Sequence, residues 1–309
     1  MAINPVTSAS ARSREAAEAA RSKPAEFAGE VEGEATFTVE RLFDIPGMRE
    51  GSDLFPLPGN RFGGVSDRQD KLFIFNDKGE LKRKIDLPRL QNGSSQLEAG
   101  TYDPNRKRFV AVREESAEML IWKLNLKDDD SSEDDEIELD ERIQLPPFGD
   151  HARTNKGVEG MAYLRGEFSP TGRPQLLVAN EAFPRNLFLF ETDGKAKGRE
   201  ERIDRKKIRM PIEVKVEAKV RRFCRDFSAV TVDPKTGDVF VSSDESRNVV
   251  QLRLKKEHGE VIGEYVAHFS LEKKNGDKLE RIEGLAFDGD GNLKVMTENR
   301  SRVYELKRK

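Results

Sequence analysis

The 309-residue sequence has few of the residues from which many functional sites are built. Its one cysteine, Cys224, cannot form an internal disulfide, and such sparse cysteine usage fits a reducing compartment. Its three histidines have no cysteine or histidine nearby at metal-ligand spacing, which argues against a zinc site. No Gly-x-Ser-x-Gly segment is present either. We therefore assign no catalytic residue.

Long apolar runs and an excess of one charge are also missing. No run reaches the 18 apolar residues of a membrane span, so none is expected. The 54 basic and 57 acidic residues nearly cancel, which favours neither nucleic acid nor an anionic membrane as partner.

Residues 1–33 are rich in Ala, Glu, Ser and Arg and lack the apolar centre of a secretory signal. We expect a disordered or weakly helical tail there, followed by one domain over residues 34–309. As it stands the sequence predicts a cytoplasmic monomer; a periplasmic or secreted location would apply if a signal peptide had been removed.

A short pattern recurs along this predicted domain: an apolar residue, an acid and a small residue open a strand-length segment. Three clear and two looser copies are Leu97-Glu98-Ala99, Val158-Glu159-Gly160, Ile282-Glu283-Gly284, Ser52-Asp53-Leu54 and Phe227-Ser228-Ala229. In each copy the next strand ends in an acid: Asp67, Glu114, Glu181, Asp244 and Glu298. A third apolar run follows each acid, and a fourth strand is visible at residues 79–87, 137–145 and 259–271.

Repeats that each form a small antiparallel sheet are typical of a β-propeller. The last repeat supplies three strands, and residues 36–43 can add the fourth, which would leave no exposed edge. We predict an all-β, five-bladed β-propeller of four-stranded antiparallel blades, closed by the N-terminal strand. Six blades are the alternative, with the sixth in residues 194–222, although that segment lacks the opening pattern.

In a propeller the start of each first strand and the end of each second strand reach the same face, so both sets of acids should surround one channel mouth. We predict a metal site at the inner set: Asp53, Glu98, Glu159 and Glu283. Oxygen donors with few histidines favour Ca²⁺ over Mg²⁺. The alternative is that neighbouring arginines neutralise these acids pairwise. Further ligand-binding residues are predicted around the mouth: Lys156, Asn180, Glu181, Arg225, Asp226, Ser228, Asp244, Arg281 and Glu298.

Several of these segments resemble the bacterial SdiA-regulated (YjiK-like) family over about residues 52–306. The resemblance is carried by residues 155–162, 177–181 with Pro184, 226–230, 243–246, 283–286 and 290–293. It implies a five-bladed propeller, distantly similar to NHL repeats, with a calcium site in at least one member. Residues 155–160 also resemble phytase-like esterase propellers.

The leading hypothesis is a non-catalytic, calcium-binding propeller that presents one face to a protein or a small anionic ligand. It depends on the repeated acids and on the absence of a recognisable nucleophile–base pair. The alternative is a metal-dependent phosphoesterase or esterase in which Lys156, Arg225 and Arg281 hold the anion. A third possibility is an interaction scaffold without metal, which applies if arginines pair with all the acids.

Overall fold

The computed structural model describes residues 34–87, 96–113, 116–127, 136–146, 157–181, 185–191, 211–273, 275–279 and 281–308. The predicted tail at residues 1–33 and the predicted site residues Glu114 and Lys156 lie outside this part of the chain. The described residues form almost only strands, with a short helix α1 (Ala218–Phe223) and a 3₁₀ turn (Asn299–Ser301). No helix among them is long and apolar enough to span a membrane.

Two sheets contain four antiparallel strands each. The first has the order β2 (Gly51–Leu57), β3 (Arg61–Ser66), β4 (Lys71–Asn76), β5 (Leu81–Asp86). The second has the order β6 (Leu97–Asp103), β7 (Arg108–Arg113), β8 (Glu118–Asn125), β9 (Glu136–Gln144). Chain order and spatial order agree within each sheet, as the predicted repeat requires.

A third, twelve-stranded sheet contains three further antiparallel runs of four strands. Its first run is β10 (Val158–Leu164), β11 (Gln175–Asn180), β12 (Asn186–Glu191), β13 (Ile212–Val216). Its second run is β14 (Ala229–Val232), β15 (Val239–Ser243), β16 (Asn248–Glu257), β17 (Glu260–Glu272). Its third run is β18 (Ile282–Phe287), β19 (Leu293–Thr297), β20 (Arg302–Arg308), β1 (Glu34–Asp44). Parallel pairing of β13 and β1 with β17 joins the runs, and it covers edges that would otherwise be exposed.

The N-terminal strand β1 pairs with the final strand β20, as predicted, in an antiparallel register from Phe37–Arg308 to Asp44–Arg302. The guanidinium of Arg41 on β1 donates to Glu305 on β20 at 2.7 Å. Glu305 also accepts from the fully buried Lys294 ammonium at 2.6 Å. This network attaches the first strand to the last two. The segment proposed as a sixth blade contributes β13, which pairs with β12; its residues 194–210 lie outside the described part.

The first strands of the runs approach one another very closely. A Cβ placed on Gly160 would lie 2.7 Å from the backbone nitrogen of Val230, and one on Gly284 would lie 2.8 Å from that of Leu54. Real Cβ atoms do not come so close to backbone, so these positions require glycine. The small residue of the recurring pattern is therefore a packing requirement.

The carboxylate of Asp53 joins three of these first strands. Its Oδ1 accepts from the backbone N–H of Leu54 at 2.7 Å, and its Oδ2 accepts from Gly100 on β6 at 2.9 Å and Met161 on β10 at 3.2 Å. The residue is fully buried. Burial raises the pKa of Asp53 well above its ordinary value, and the three amide hydrogen bonds oppose that rise. Asp53 therefore connects β2, β6 and β10.

We predict that Asp53→Ala lowers the free energy of unfolding by about 3 kcal/mol or more, because three buried amide N–H groups lose their acceptor. Urea unfolding followed by circular dichroism measures this change. Asp290→Ala is the matched control, since Asp290 is exposed on a hairpin, and it should change stability by less than about 0.5 kcal/mol. Equal losses in the two variants would contradict the role assigned to Asp53.

Candidate functional site

The start of a first strand carries a β-bulge in four of the five runs. The pairing register skips one residue in β2, β6, β10 and β18, and the skipped residues are Ser52, Glu98, Glu159 and Glu283. A bulge leaves the extra residue out of the ladder and redirects its side chain. In the remaining run Ser228 precedes β14, and its amide donates to the carbonyl of Ser242 at 3.1 Å.

These five residues and the four described second-strand acids, Asp67, Glu181, Asp244 and Glu298, meet at one cavity of about 270 Å³. We call this cavity the acidic pocket. It is lined by Glu50, Gly51, Ser52, Asp67, Glu98, Glu159, Glu181, Asp226, Ser228, Asp244, Glu283 and Glu298. Nine of these twelve residues are acids, and none is basic. The described acids of both predicted sets, with the exception of Asp53, therefore line one cavity.

Asp53 is the exception among the four predicted metal ligands. The structure brings Glu98, Glu159 and Glu283 to the pocket wall but places the Asp53 carboxylate among backbone amides in the interior. Ser52 occupies the position equivalent to the three glutamates, because the bulge in β2 begins one residue earlier than the pattern suggested. The spacing could have revealed this, since Ser52 and Asp67 have the same separation as Glu283 and Glu298.

Three acids at the outer part of the pocket form ion pairs with two arginines. Arg68 lies 2.7 Å from Glu50 and 3.5 Å from Asp67, and Arg281 contacts Glu298. Pairing with arginine, which the sequence analysis left open, thus occurs at this part of the pocket. Exposed pairs of this kind contribute little to stability, but they reduce local repulsion.

Asp226 also lies on the pocket wall. Its carboxylate accepts from the Ser243 hydroxyl and, at 3.2 Å, from the amide of Glu245. It is 5% exposed, so these bonds hold it in place. The sequence analysis predicted Asp226 as a further ligand-binding residue and did not predict Glu50. Glu50 lies two residues before the bulge at Ser52 and has a positive φ of 46°. Gln96 and Arg281 lie at the equivalent positions before their own bulges, and their φ values are 40° and 53°.

Other predicted ligand-binding residues do not line the acidic pocket. Asn180 is buried in β11 opposite Val158. Arg225 is exposed and its backbone amide donates to Ser246 Oγ at 3.0 Å, while the exposed Arg281 is engaged by Glu298. Of the three proposed anion-holding residues, the two described ones are thus absent from the pocket wall. Neither the phosphoesterase alternative nor an anionic ligand gains support from this arrangement.

The electrostatics of the pocket disfavour ionisation of Glu283. Burial is the largest cause that raises its pKa well above the ordinary value. Four nearby carboxylates raise it further, those of Asp244, Glu298, Glu98 and Glu181. A bound cation or proton would relieve this repulsion.

The Ser52 hydroxyl is a buried polar group on the same wall. Ser52 is 6% exposed, and its Oγ has no hydrogen-bond partner among the described residues. A buried hydroxyl without a partner costs roughly 1–3 kcal/mol, so such groups are uncommon in folded proteins.

The carboxylates are nevertheless spread out. Among the described residues, no group of three or more His, Cys, Asp or Glu side chains is arranged so that it could hold a metal ion. The donor chemistry suits a hard cation, but the geometry of a preformed metal centre is missing from this part of the chain.

A second cavity, of about 280 Å³, lies along later residues of the same first strands. Its wall is mainly apolar and includes Phe55, Tyr102, Met161, Tyr163 and Val230. The sequence analysis did not anticipate it, because these residues read as ordinary strand positions.

We predict that Glu283→Gln raises the free energy of unfolding at neutral pH by about 1 kcal/mol or more in chelator-treated, low-salt buffer, because one repelled carboxylate is removed. In the parent protein the raised pKa of Glu283 lowers the free energy of unfolding at pH values above 4.5, which is the ordinary pKa of a glutamate. Below that pH the carboxyl group is protonated in both states, so this penalty is absent. The advantage of the variant should therefore shrink as the pH falls towards 4.5. Urea unfolding across this pH range measures it, with Glu40→Gln on the exposed part of β1 as control. A pH-independent advantage would contradict the prediction.

Solved structures with similar folds support the architecture. Glutaminyl cyclase from Myxococcus xanthus is 12% identical with a TM-score of 0.54, and the match covers 89% of this chain and 98% of that one. The PQQ-bound aldose sugar dehydrogenase from Streptomyces coelicolor is 11% identical with a TM-score of 0.50, covering 91% and 100%. At such low identity the likeness concerns only the fold, an all-β propeller.

No curated protein matches the sequence. The family model described as SdiA-regulated matches residues 55–307, close to the range over which the resemblance was noted. The fold and this match together establish that the chain belongs to the SdiA-regulated family of β-propeller proteins.

Proposed function

We propose that this propeller is a non-catalytic binding module whose acidic pocket takes up a cation. The observation that carries the proposal is the convergence of nine carboxylic acids on one cavity of about 270 Å³, with no basic residue among the described residues that line it. Like charges so close together repel unless protons or a cation intervene. Burial is the main cause of the raised pKa of Glu283, and repulsion by four neighbouring carboxylates raises it further.

The non-catalytic part of the proposal is supported by the environment of the most reactive side chain. Cys224 is buried, and burial raises the pKa of its thiol, which disfavours the nucleophilic thiolate. It also lies outside the residues that line the acidic pocket.

Calcium is the metal that the donor chemistry and the family resemblance favour. Glu98, Glu159 and Glu283 are the residues that would hold it, with Ser52 in the place first given to Asp53. Ca²⁺ takes six to eight oxygen ligands at roughly 2.3–2.6 Å. Since no three of the described carboxylates are arranged for this, side chains would have to move inward, and affinity should be modest.

We further infer that the propeller has five blades. Five antiparallel runs of four strands support this number, and so does the pairing of β1 with β20, which gives the last run its fourth strand. In this arrangement each blade contributes one bulge or strand-start residue to the inner part of the pocket.

We predict that Ca²⁺ binds to the chelator-treated protein with a Kd on the order of 10⁻⁴ M or weaker, because the ligands must converge. The double variant Glu159→Gln/Glu283→Gln should lose at least about 90% of this affinity, since two charged donors are gone. Isothermal titration calorimetry and the shift in Tm measure the binding.

The Glu40→Gln variant is the matched control, because it removes the same charge outside the pocket. It should bind Ca²⁺ as the parent does. Absence of both heat and a Tm shift at millimolar Ca²⁺ would argue against a calcium site, and equal binding by the double variant would place the ion elsewhere.

A further inference from the structure

The second cavity, which we call the apolar cavity, is a potential site separate from the acidic pocket. All five first strands contribute to its wall, with Leu54, Tyr102, Met161, Val230 and Leu285 among the lining residues. Its volume of about 280 Å³ is close to the lower end of small-molecule sites. Since an apolar cavity of roughly 150 Å³ holds benzene, this one has room for about two fused rings.

The wall of the apolar cavity disfavours a charged ligand. Arg165 is the one charged residue among the described residues that line it. Its guanidinium is already engaged, because it donates to the carbonyl of Pro234 and lies 3.3 Å from a carboxylate oxygen of Glu167. Burial raises the pKa of Tyr102, and it raises the pKa of Tyr163 to about 12, so both phenols are neutral at physiological pH. A charged ligand would lose its hydration here without an opposite charge to replace it, so the cavity suits a neutral molecule.

The first strands also bring backbone groups to this wall. Among the described residues, each first strand pairs only with the second strand of its own run, which leaves one of its edges open. The amides of Gly100 and Met161 point out of that edge, because they donate to Asp53. Successive residues of an antiparallel strand alternate between its two edges. Tyr102 and Tyr163, each two residues further on, therefore turn their N–H and C=O groups to the open edge, and both line the cavity.

Pro56 on β2 fits the same arrangement. The amide of Leu54 donates to Asp53, so the backbone of Pro56, two residues later, also lies at the open edge. Proline is tolerated at such positions because no ladder N–H is needed there. The wall therefore combines apolar side chains with backbone N–H donors of β6 and β10 and carbonyl acceptors of β2, β6 and β10. A ligand that both donates and accepts suits this wall, and a primary amide has two N–H donors and one carbonyl acceptor.

We propose that the apolar cavity binds a small neutral amide whose apolar body is about the size of two fused rings. The body packs against the side chains of Phe55, Met161 and Val230, and the amide group bonds to the open edges of β6 and β10 as an added strand would. This site is independent of the acidic pocket, so the outcome of the Ca²⁺ titration does not bear on it.

The experiment is NMR titration of the full chain, labelled with ¹³C at its methionine methyl groups, with four ligands that share a naphthalene ring. They are 1-naphthaleneacetamide, its N,N-dimethyl derivative, 1-naphthaleneacetate and 1-naphthylmethylamine. The primary amide should shift the methyl signal of Met161, which lines the cavity, and leave those of Met48 and Met296, which lie outside its wall. The Met161→Leu variant assigns the signal.

The affinities test the chemistry of the site. We expect the primary amide to bind about tenfold more tightly than the anion or the cation, because neither charge is compensated. The dimethyl amide lacks both N–H donors and should bind roughly fivefold more weakly than the primary amide. Added salt should leave the affinity of the primary amide unchanged, because no ionic contact is involved.

A cavity-filling variant tests the location. Val232 lines the apolar cavity, and Val232→Phe should lower the affinity for the primary amide about tenfold, because the added ring occupies its space. Val266→Phe makes the same change at an exposed position and should bind as the parent does. Circular dichroism checks that both variants are folded, and the ligand series tests the proposal without any variant.

Four results would overturn the proposal. Tighter binding of the acetate than of the amide would show that Arg165 selects an anion. Equal affinities for the primary and the dimethyl amide would remove the backbone contacts. Shifts at Met48 or Met296 without a shift at Met161 would place the ligand elsewhere. Unchanged methyl signals at millimolar amide would leave the cavity without this ligand.

Discussion

The hydrogen bonds of one buried carboxylate determine how the first strands meet. Asp53 accepts from amides on β2, β6 and β10, and a fully buried charge is tolerated only where its hydrogen-bonding capacity is met. The residues on either side of Asp53 line two different cavities: Ser52 lines the acidic pocket and Leu54 lines the apolar cavity. The interior contact thus separates two cavities of similar volume and opposite character.

The recurring pattern of acid and small residue serves two purposes through a bulge. The extra residue in β10, for example, directs Glu159 to the pocket while Gly160 faces the strand β14 at a distance that no side chain could occupy. The bulge takes Glu159 out of the pairing ladder, and this frees its side chain to face the pocket while the strand continues. In the copies Glu159-Gly160 and Glu283-Gly284, packing and the acidic pocket therefore depend on the same two residues.

The acidic pocket is electrostatically costly, which is typical of sites that await a ligand. Arginines relieve the repulsion at part of the pocket, where Arg281 meets Glu298, and hydrogen bonds hold Asp226. Deeper in the pocket the field of several acids still disfavours ionisation of Glu283, and the Ser52 hydroxyl remains without a partner among the described residues. A bound cation or proton would relieve the repulsion.

The sequence by itself determined the strands, the repeat, the pairing partner of the N-terminal strand and the two sets of acids, because short-range alternation and turn chemistry encode these features. The tertiary structure decided that Ser52 and not Asp53 faces the pocket, since a bulge shifts the register by one residue and the equal spacing of Ser52–Asp67 and Glu283–Glu298 does not by itself show where the bulge lies. It also decided that Arg225 lies away from the pocket wall and that the carboxylates stand apart. Those properties depend on distances between strands far apart in the chain, which no local pattern specifies.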